Sequence, residues 1–266
     1  MGNYLKVPSF RYRLLFVGVN RVPGHQPLQA AARDAEAMSA RFRGWGYDDD
    51  ARHCLLLNQD ATAARVLDEV RSASAAADLG LLLIYWAGHL RANGRKHILT
   101  THDAGTDTTA NGIGLDVLTG AIGRASKVPH RLLILDTCNA AAAHAQLGAL
   151  SRHGADEECV AVLAAGGSDA MSREDHRRGY FTGALLEQMP RDTRGLPPNI
   201  DVLQALRVGA EHLTGRRQEQ PFIGVYGTET ELRLPVVSGK MLPFEPRARV
   251  ARVPAKSIAA QQAARA

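Results

Sequence analysis

Cys138 and His89 are the two residues whose type and setting suit covalent chemistry. Cys138 follows Leu132-Leu133-Ile134-Leu135-Asp136-Thr137, and His89 follows Leu81-Leu82-Leu83-Ile84-Tyr85-Trp86-Ala87-Gly88. A thiol with a pKa near ~8.5 is mostly protonated at neutral pH; an imidazole beside it takes the proton and leaves a strong nucleophile. The carbonyl it attacks needs backbone N–H donors for its oxyanion, and chain leaving a strand supplies them, at Gly88-His89-Leu90 and at Cys138 itself. A cysteine and a histidine taken alone also fit a buried small hydrophobe and a satisfied core imidazole. Position brings the chemical reading level with the structural one: both residues fall at the ends of apolar runs, and the tips of parallel strands are where an open α/β sheet presents its functional groups.

The elements around them read as alternating strands and helices. Tyr12 to Val19 is a buried first strand, and Leu28 to Phe42 repeats apolar residues at helical spacing. Arg52 to Leu57 is a second strand, and Asp60 is placed to cap a helix running to about Ala76. Leu79 to Trp86 is the third strand, Leu115 to Ala125 a helix and His130 to Asp136 the fourth strand. Val160 to Ala165 is a fifth strand, Gly179 to Met189 and Ile200 to Leu213 are helices, and Phe222 to Tyr226 is a last strand. Asn139 to Glu158, rich in Ala, His, Gly and charge, reads as a long functional or cleavable loop. Strands separated by helices of this length predict an α/β fold: a mostly parallel central sheet covered on both faces.

Composition narrows the function classes. The chain has 266 residues, 45% hydrophobic and 5% aromatic, enough for one large core of aliphatic side chains. No apolar run approaches the ~20 residues of a membrane span, and the opening Met1-Gly2-Asn3-Tyr4 does not read as a signal peptide. Three cysteines, Cys54, Cys138 and Cys159, are few and odd in number, which predicts a reducing cytoplasm and no disulfide framework. Residues 240–266 carry six Lys or Arg against Glu245 and so hold the whole net charge of +5. A neutral body argues against nucleic-acid binding by the core. We read residues 1–11 as a lead, 12–235 as the folded domain and 236–266 as a basic flexible tail, the natural handle for a regulatory or sensor protein partner.

Taken together, the motifs resemble the caspase-like cysteine peptidases of clan CD (peptidase family C14), closest to the bacterial metacaspase and orthocaspase branch. Tyr85-Trp86-Ala87-Gly88-His89-Leu90 resembles the family's Tyr-Phe-Ser-Gly-His-Gly, and Asp136-Thr137-Cys138-Asn139-Ala140-Ala141 its Asp-Ser/Ala-Cys-His-Ser-Gly. About 50 residues separate His from Cys in caspases, and 49 positions do here. Gly18-Val19-Asn20 with Arg33-Asp34-Ala35, Asp103, Gly179-Tyr180-Phe181-Thr182 and Gln220-Pro221 follow in family order. The resemblance implies the caspase-hemoglobinase fold, Cys138 as nucleophile, His89 as general base, and oxyanion donors at the backbone of Leu90 and Cys138. It also implies a pocket for the residue before the cut lined by Asp34 and Asp136. Paired carboxylates hold an Arg or Lys side chain, whereas caspases that cut after Asp carry Gln two before the cysteine. Protein or peptide substrates and a role in bacterial stress, defence or cell death follow by the same implication.

Three departures define the rival reading. Leu90 replaces a glycine, Ala87 a serine, and Asn139-Ala140-Ala141 the His-Ser-Gly, as they would in a catalytically inactive caspase-like interaction module. Arg152, in Ser151-Arg152-His153-Gly154, is the candidate self-cleavage point of an enzyme cutting after Arg, and Arg173 to Arg178 form a second basic cluster. Gly166-Gly167-Ser168-Asp169-Ala170 lacks the apolar-striped helix that should follow a nucleophile elbow. Asp48-Asp49-Asp50 could attract calcium but lacks alternating ligand spacing and reads as a solvated turn. No cofactor or metal is expected.

Overall fold

Both faces of every central strand carry apolar side chains, so the sheet they form must be covered twice. The structure, a computed structural model, describes residues 11–105, 112–123, 126–137, 144–147, 150, 159–165, 179–191, 199–201, 204–209, 222–227 and 233–235. In chain order these give β1 (Tyr12–Gly18), α1 (Ala31–Gly44), β2 (His53–Leu57), a 3₁₀ turn (Asn58–Asp60), α2 (Ala63–Ala75) and β3 (Leu81–Gly88). Then come β4 (Leu90–Asn93), β5 (Lys96–Leu99), β6 (Ile113–Gly114), α3 (Leu115–Ile122), β7 (His130–Thr137) and α4 (His144–Leu147). β8 (Cys159–Ala164), α5 (Tyr180–Gln188), β9 (Asn199–Asp201), β10 (Phe222–Gly227) and β11 (Arg233–Pro235) complete the described elements.

Six strands make the main sheet in the order β10-β8-β7-β3-β1-β2. Its inner pairings are parallel and β10 joins antiparallel at one edge. Alternation along β1 splits the core: Leu14 and Phe16 pack with Met38 and Phe42 of α1 and Phe181 and Leu185 of α5. Leu15 and Val17 pack with Val66 and Val70 of α2 and Leu118 and Ile122 of α3 on the other face. The α/β, mostly parallel architecture with helices on both faces is therefore as the sequence pattern requires. Among the described residues no helix is long and apolar enough to cross a membrane.

Local chemistry sets the helix starts. A Cβ on Gly18 would lie 2.7 Å from the Ala31 carbonyl oxygen and the Ala32 Cα, so only glycine lets α1 pack this close to the end of β1. Asn20 Oδ1 accepts from the Ala32 N–H at 2.9 Å, serving a helix whose own cap position, Ala30, has no side-chain acceptor. At α2 the cap is Thr62, not Asp60; Asp60 lies in the 3₁₀ turn and pairs with Arg65. Asp103 Oδ1 accepts from the Ala63 N–H at 3.0 Å, which gives this family-matched aspartate a helix-capping role.

Several boundaries differ from the sequence reading. Ile200 lies in β9, paired with β11, and among the described residues of the segment read as one helix from Ile200 to Leu213, helix occupies 204–209. A helical turn, α4, interrupts the region read as one long loop. The hairpin β4–β5 was not anticipated beyond its second strand; its two-residue turn has Gly94 at φ +59. Arg11, assigned to the lead, already belongs to the domain: its carbonyl accepts from Gly80 and its side chain pairs with Asp78. The rest of the lead, the tail, Arg152 and the cluster Arg173 to Arg178 lie outside the described residues.

Candidate active site

β3 and β7 run parallel and in register to their last residues, Ala87 opposite Asp136 and Gly88 opposite Thr137. In the sequence His89 follows the last residue of β3 and Cys138 the last residue of β7; Cys138 itself lies outside the described residues. His89 is half-buried, between the end of β3 and the start of β4. Its Nε2 is 2.9 Å from the carbonyl oxygen of Gln26. A carbonyl only accepts, so Nε2 carries the proton and the lone pair of the neutral ring falls on Nδ1. The main chain here is also held: the His89 carbonyl accepts from the Thr100 N–H at 3.0 Å and from the Thr100 hydroxyl at 2.7 Å.

Asp34 and Asp136 are both buried, 2% and 5% exposed, although one comes from the first turn of α1 and the other from β7. They meet at the N-terminus of α5. Asp34 Oδ2 accepts from the Gly179 N–H at 2.9 Å. Asp136 Oδ2 accepts from the Thr182 N–H at 3.3 Å and from the Thr182 hydroxyl at 2.5 Å. Because that hydroxyl gives its proton to Asp136, the Tyr85 hydroxyl 2.5 Å away must donate to it, making a chain Tyr85 to Thr182 to Asp136. The first-turn N–H groups and the positive end of the helix dipole suit buried anions at this position. A Cβ on Gly179 would sit 2.8 Å from Asp34 Oδ2 and 3.1 Å from Asp136 Oδ2, so both carboxylates close on this one glycine.

The sequence profile of the caspase domain matches residues 11–226. The chain belongs to the caspase-domain peptidase family. Its fold is similar to that of caspase-1 from Spodoptera frugiperda, with a TM-score of 0.59 at 13% identity over 86% of this chain and 94% of that one. It is also similar to a protein of Geobacter sulfurreducens, with a TM-score of 0.56 at 18% identity over 82% of this chain and 94% of that one. A pro-form of the insect caspase-1 gives 0.53 at 13% identity over 83% of this chain and 93% of that one. No curated protein sequence matches the chain.

In this caspase domain, the residues singled out from the sequence separate by role. His89, Asp34 and Asp136 lie at the C-terminal rim of the sheet or directly above it. Leu90 is buried, and among the described non-glycine residues only Asn58 has positive φ, so the backbone at Leu90 accommodates its side chain. Cys54 is half-buried in β2, where burial raises its thiol pKa and keeps it protonated. Asp48, Asp49 and Asp50 are exposed; Asp49 pairs with Arg52 and Asp50 with Arg43. Among the described residues no group of three or more His, Cys, Asp or Glu could hold a metal ion. The carbonyl of Gln26 and the hydroxyls of Thr182 and Tyr85 were not anticipated, because a backbone acceptor leaves no residue-type signal and the hydroxyls gain meaning only once α5 is docked.

Proposed function

We propose that the chain is a cysteine endopeptidase that cleaves peptide bonds after Arg or Lys through a Cys138/His89 dyad. The observation that carries this reading is the register of β3 and β7, which ends both strands together immediately before His89 and Cys138. His89, with Nε2 engaged by Gln26, offers Nδ1 to take the thiol proton; the thiolate attacks the scissile carbonyl, and the same imidazole then protonates the leaving amine. The backbone N–H groups of Leu90 and Cys138 serve the oxyanion. Asp34 and Asp136 form the anionic side of the pocket for the basic side chain before the cut, and Arg152 is the point of self-cleavage. The basic tail engages a regulatory partner, and the setting is bacterial stress, defence or cell death in the cytoplasm.

The test is hydrolysis of a fluorogenic peptide set varied at the residue before the cut, comparing wild type with Cys138→Ala. Cleavage after Arg or Lys that disappears in the variant supports both dyad and pocket. Cleavage after Asp keeps the nucleophile and removes the assignment of Asp34 and Asp136. No cleavage with or without calcium, together with slow alkylation of Cys138, means that the domain is an inactive interaction module. For processing, Arg152→Ala should leave the chain intact where wild type is cut; an intact wild-type chain in an active preparation removes that role.

A further inference from the structure

The segment joining β1 to α1 lies against His89, and its sequence dictates how. Val22-Pro23-Gly24-His25 is a β-turn: the His25 N–H donates to the Val22 carbonyl at 3.1 Å, and Gly24 has φ +76. Proline second and a positive-φ glycine third is the type II arrangement, so these four residues fix where the last side chain is aimed. The His25 ring centroid lies 5.1 Å from that of His89, with the planes inclined by 38°. His25 is half-buried, and its Nδ1 is 3.1 Å from the Pro23 carbonyl, to which the ring N–H donates. The next residue, Gln26, supplies the carbonyl that accepts from His89 Nε2. Another histidine also contacts the segment: His102 Nδ1 is 3.1 Å from the Arg21 carbonyl. Two consecutive residues, His25 and Gln26, therefore meet the imidazole of His89, one with its ring and the other with its carbonyl.

We propose that His25 is a positioning residue for His89. The Nε2 hydrogen bond to Gln26 fixes one point of the ring, and the χ2 of an imidazole is a broad terminal sp³–sp² torsion. A second ring packed against the first narrows that torsion and so fixes the direction of Nδ1, which must take and return the proton. This inference rests on His89 being the general base. The Pro23-Gly24 pair makes the placement a property of the backbone, so the aim of the catalytic imidazole is written into a turn remote in sequence from it.

The experiment compares wild type, His25→Ala, His25→Leu and His25→Phe, with thermal unfolding as the check on folding. An aromatic pair of this kind is worth up to a tenfold factor, so His25→Ala and His25→Leu should lower kcat by about tenfold while KM moves less than about twofold, and His25→Phe should restore kcat. Long-range ¹H–¹⁵N correlation of the His89 ring should show one Nε2–H tautomer in wild type and His25→Phe and a mixture in the Ala and Leu variants. An unchanged His89 ring spectrum in His25→Ala overturns the proposal, as does an effect confined to KM or a Phe variant as slow as Ala. The spectrum needs no turnover: absence of Cys138-dependent cleavage in wild type would count against the peptidase reading, while the ring signals still decide the role of His25.

Discussion

At the C-terminal rim of the main sheet, side chains from α1, β3 and β7 converge with the start of α5; at the N-terminal rim, buried polar side chains close local gaps. Arg131, near the start of β7 and 1% exposed, donates from Nη1 to the carbonyls of Ile122 and Gly123 at 3.0 and 3.1 Å and so closes the C-terminus of α3. His53, the first residue of β2 and 4% exposed, bridges the Ser39 hydroxyl at 2.7 Å and the Tyr47 carbonyl at 2.6 Å. The partners shown there are carbonyls and one hydroxyl, which a folded chain must satisfy anyway. The opposite rim instead gathers two acids of like charge around one glycine. Like-charged carboxylates sharing a buried site repel and are costly to ionise together, and a helix needing only a cap has no use for the second. The difference teaches how to separate two kinds of buried polar residue: one closes a local gap, the other is held in a grouping that local structure does not require.

Substitutions on the two rims should fail in different ways. The largest effect belongs to His89→Ala, which should reduce kcat/KM by at least about 10⁴-fold with little change in unfolding midpoint. Next is Arg131→Ala, expected to cost about 4 kcal/mol in urea unfolding, from lost packing and loss of the donor to the Ile122 carbonyl, the Gly123 carbonyl keeping only the Ser126 N–H at 3.3 Å. The preference of its folded fraction for the residue before the cut should not move; a changed preference would break the division between the rims. Asp136→Asn keeps an oxygen for Thr182 but removes the charge, so kcat/KM for Arg peptides should fall by about 100-fold, near 3 kcal/mol, with stability nearly retained. Asp34→Asn should act in the same direction. If either variant cuts Arg peptides as wild type does but unfolds more easily, the acids are caps and the two rims obey one rule.

How much of this was legible depends on whether a signal is local. The runs at Tyr12, Leu81 and His130 are apolar on both faces and declared themselves as central strands, so the parallel sheet and the alignment of its tips followed. β9 did not: three residues at Asn199–Asp201 gain their pairing from Arg233–Pro235, far along the chain, and so short a segment beside a helix reads as part of it. α4 was lost for a similar reason, because four residues carry too little periodicity. Asp34 showed the same limit at the site. Flanked by Arg33 and Glu36 on an amphipathic helix it looks exposed from its neighbours alone, and only the family resemblance placed it in a pocket. Its burial depends on Gly18 letting α1 approach β1 and on α5 docking over it. The hairpin after His89 did carry a local signal, Gly94 as the first of the two turn residues Gly94-Arg95 between short strands.

The smallest effect tests the N-terminal rim by pH. Burial pushes His53 from an ordinary 6.5 down to about 4, with Arg43 adding in the same direction and the Tyr47 carbonyl, Asp50 and Asp48 opposing. The neutral ring donates from Nδ1 to Tyr47 and accepts at Nε2 from Ser39, and protonation would set an N–H against the Ser39 donor. Above pH 6.5 neither folded nor unfolded chain charges this group, so it adds no pH dependence there. As pH falls below that value the unfolded chain takes up a proton that the folded chain refuses until about pH 4, so stability drops with falling pH. At pH 5 the loss should be about 2 kcal/mol, from 1.5 pH units of unequal protonation. His53→Gln keeps an N–H for Tyr47 and an oxygen for Ser39 without titrating, and its urea midpoint should fall less than wild type's between pH 7.5 and 5. Equal losses in the two proteins would mean that the bridge is solvated enough to accept the proton in place. His53 would then no longer stand as a group buried only to close a gap, and the N-terminal rim would rest on Arg131 alone.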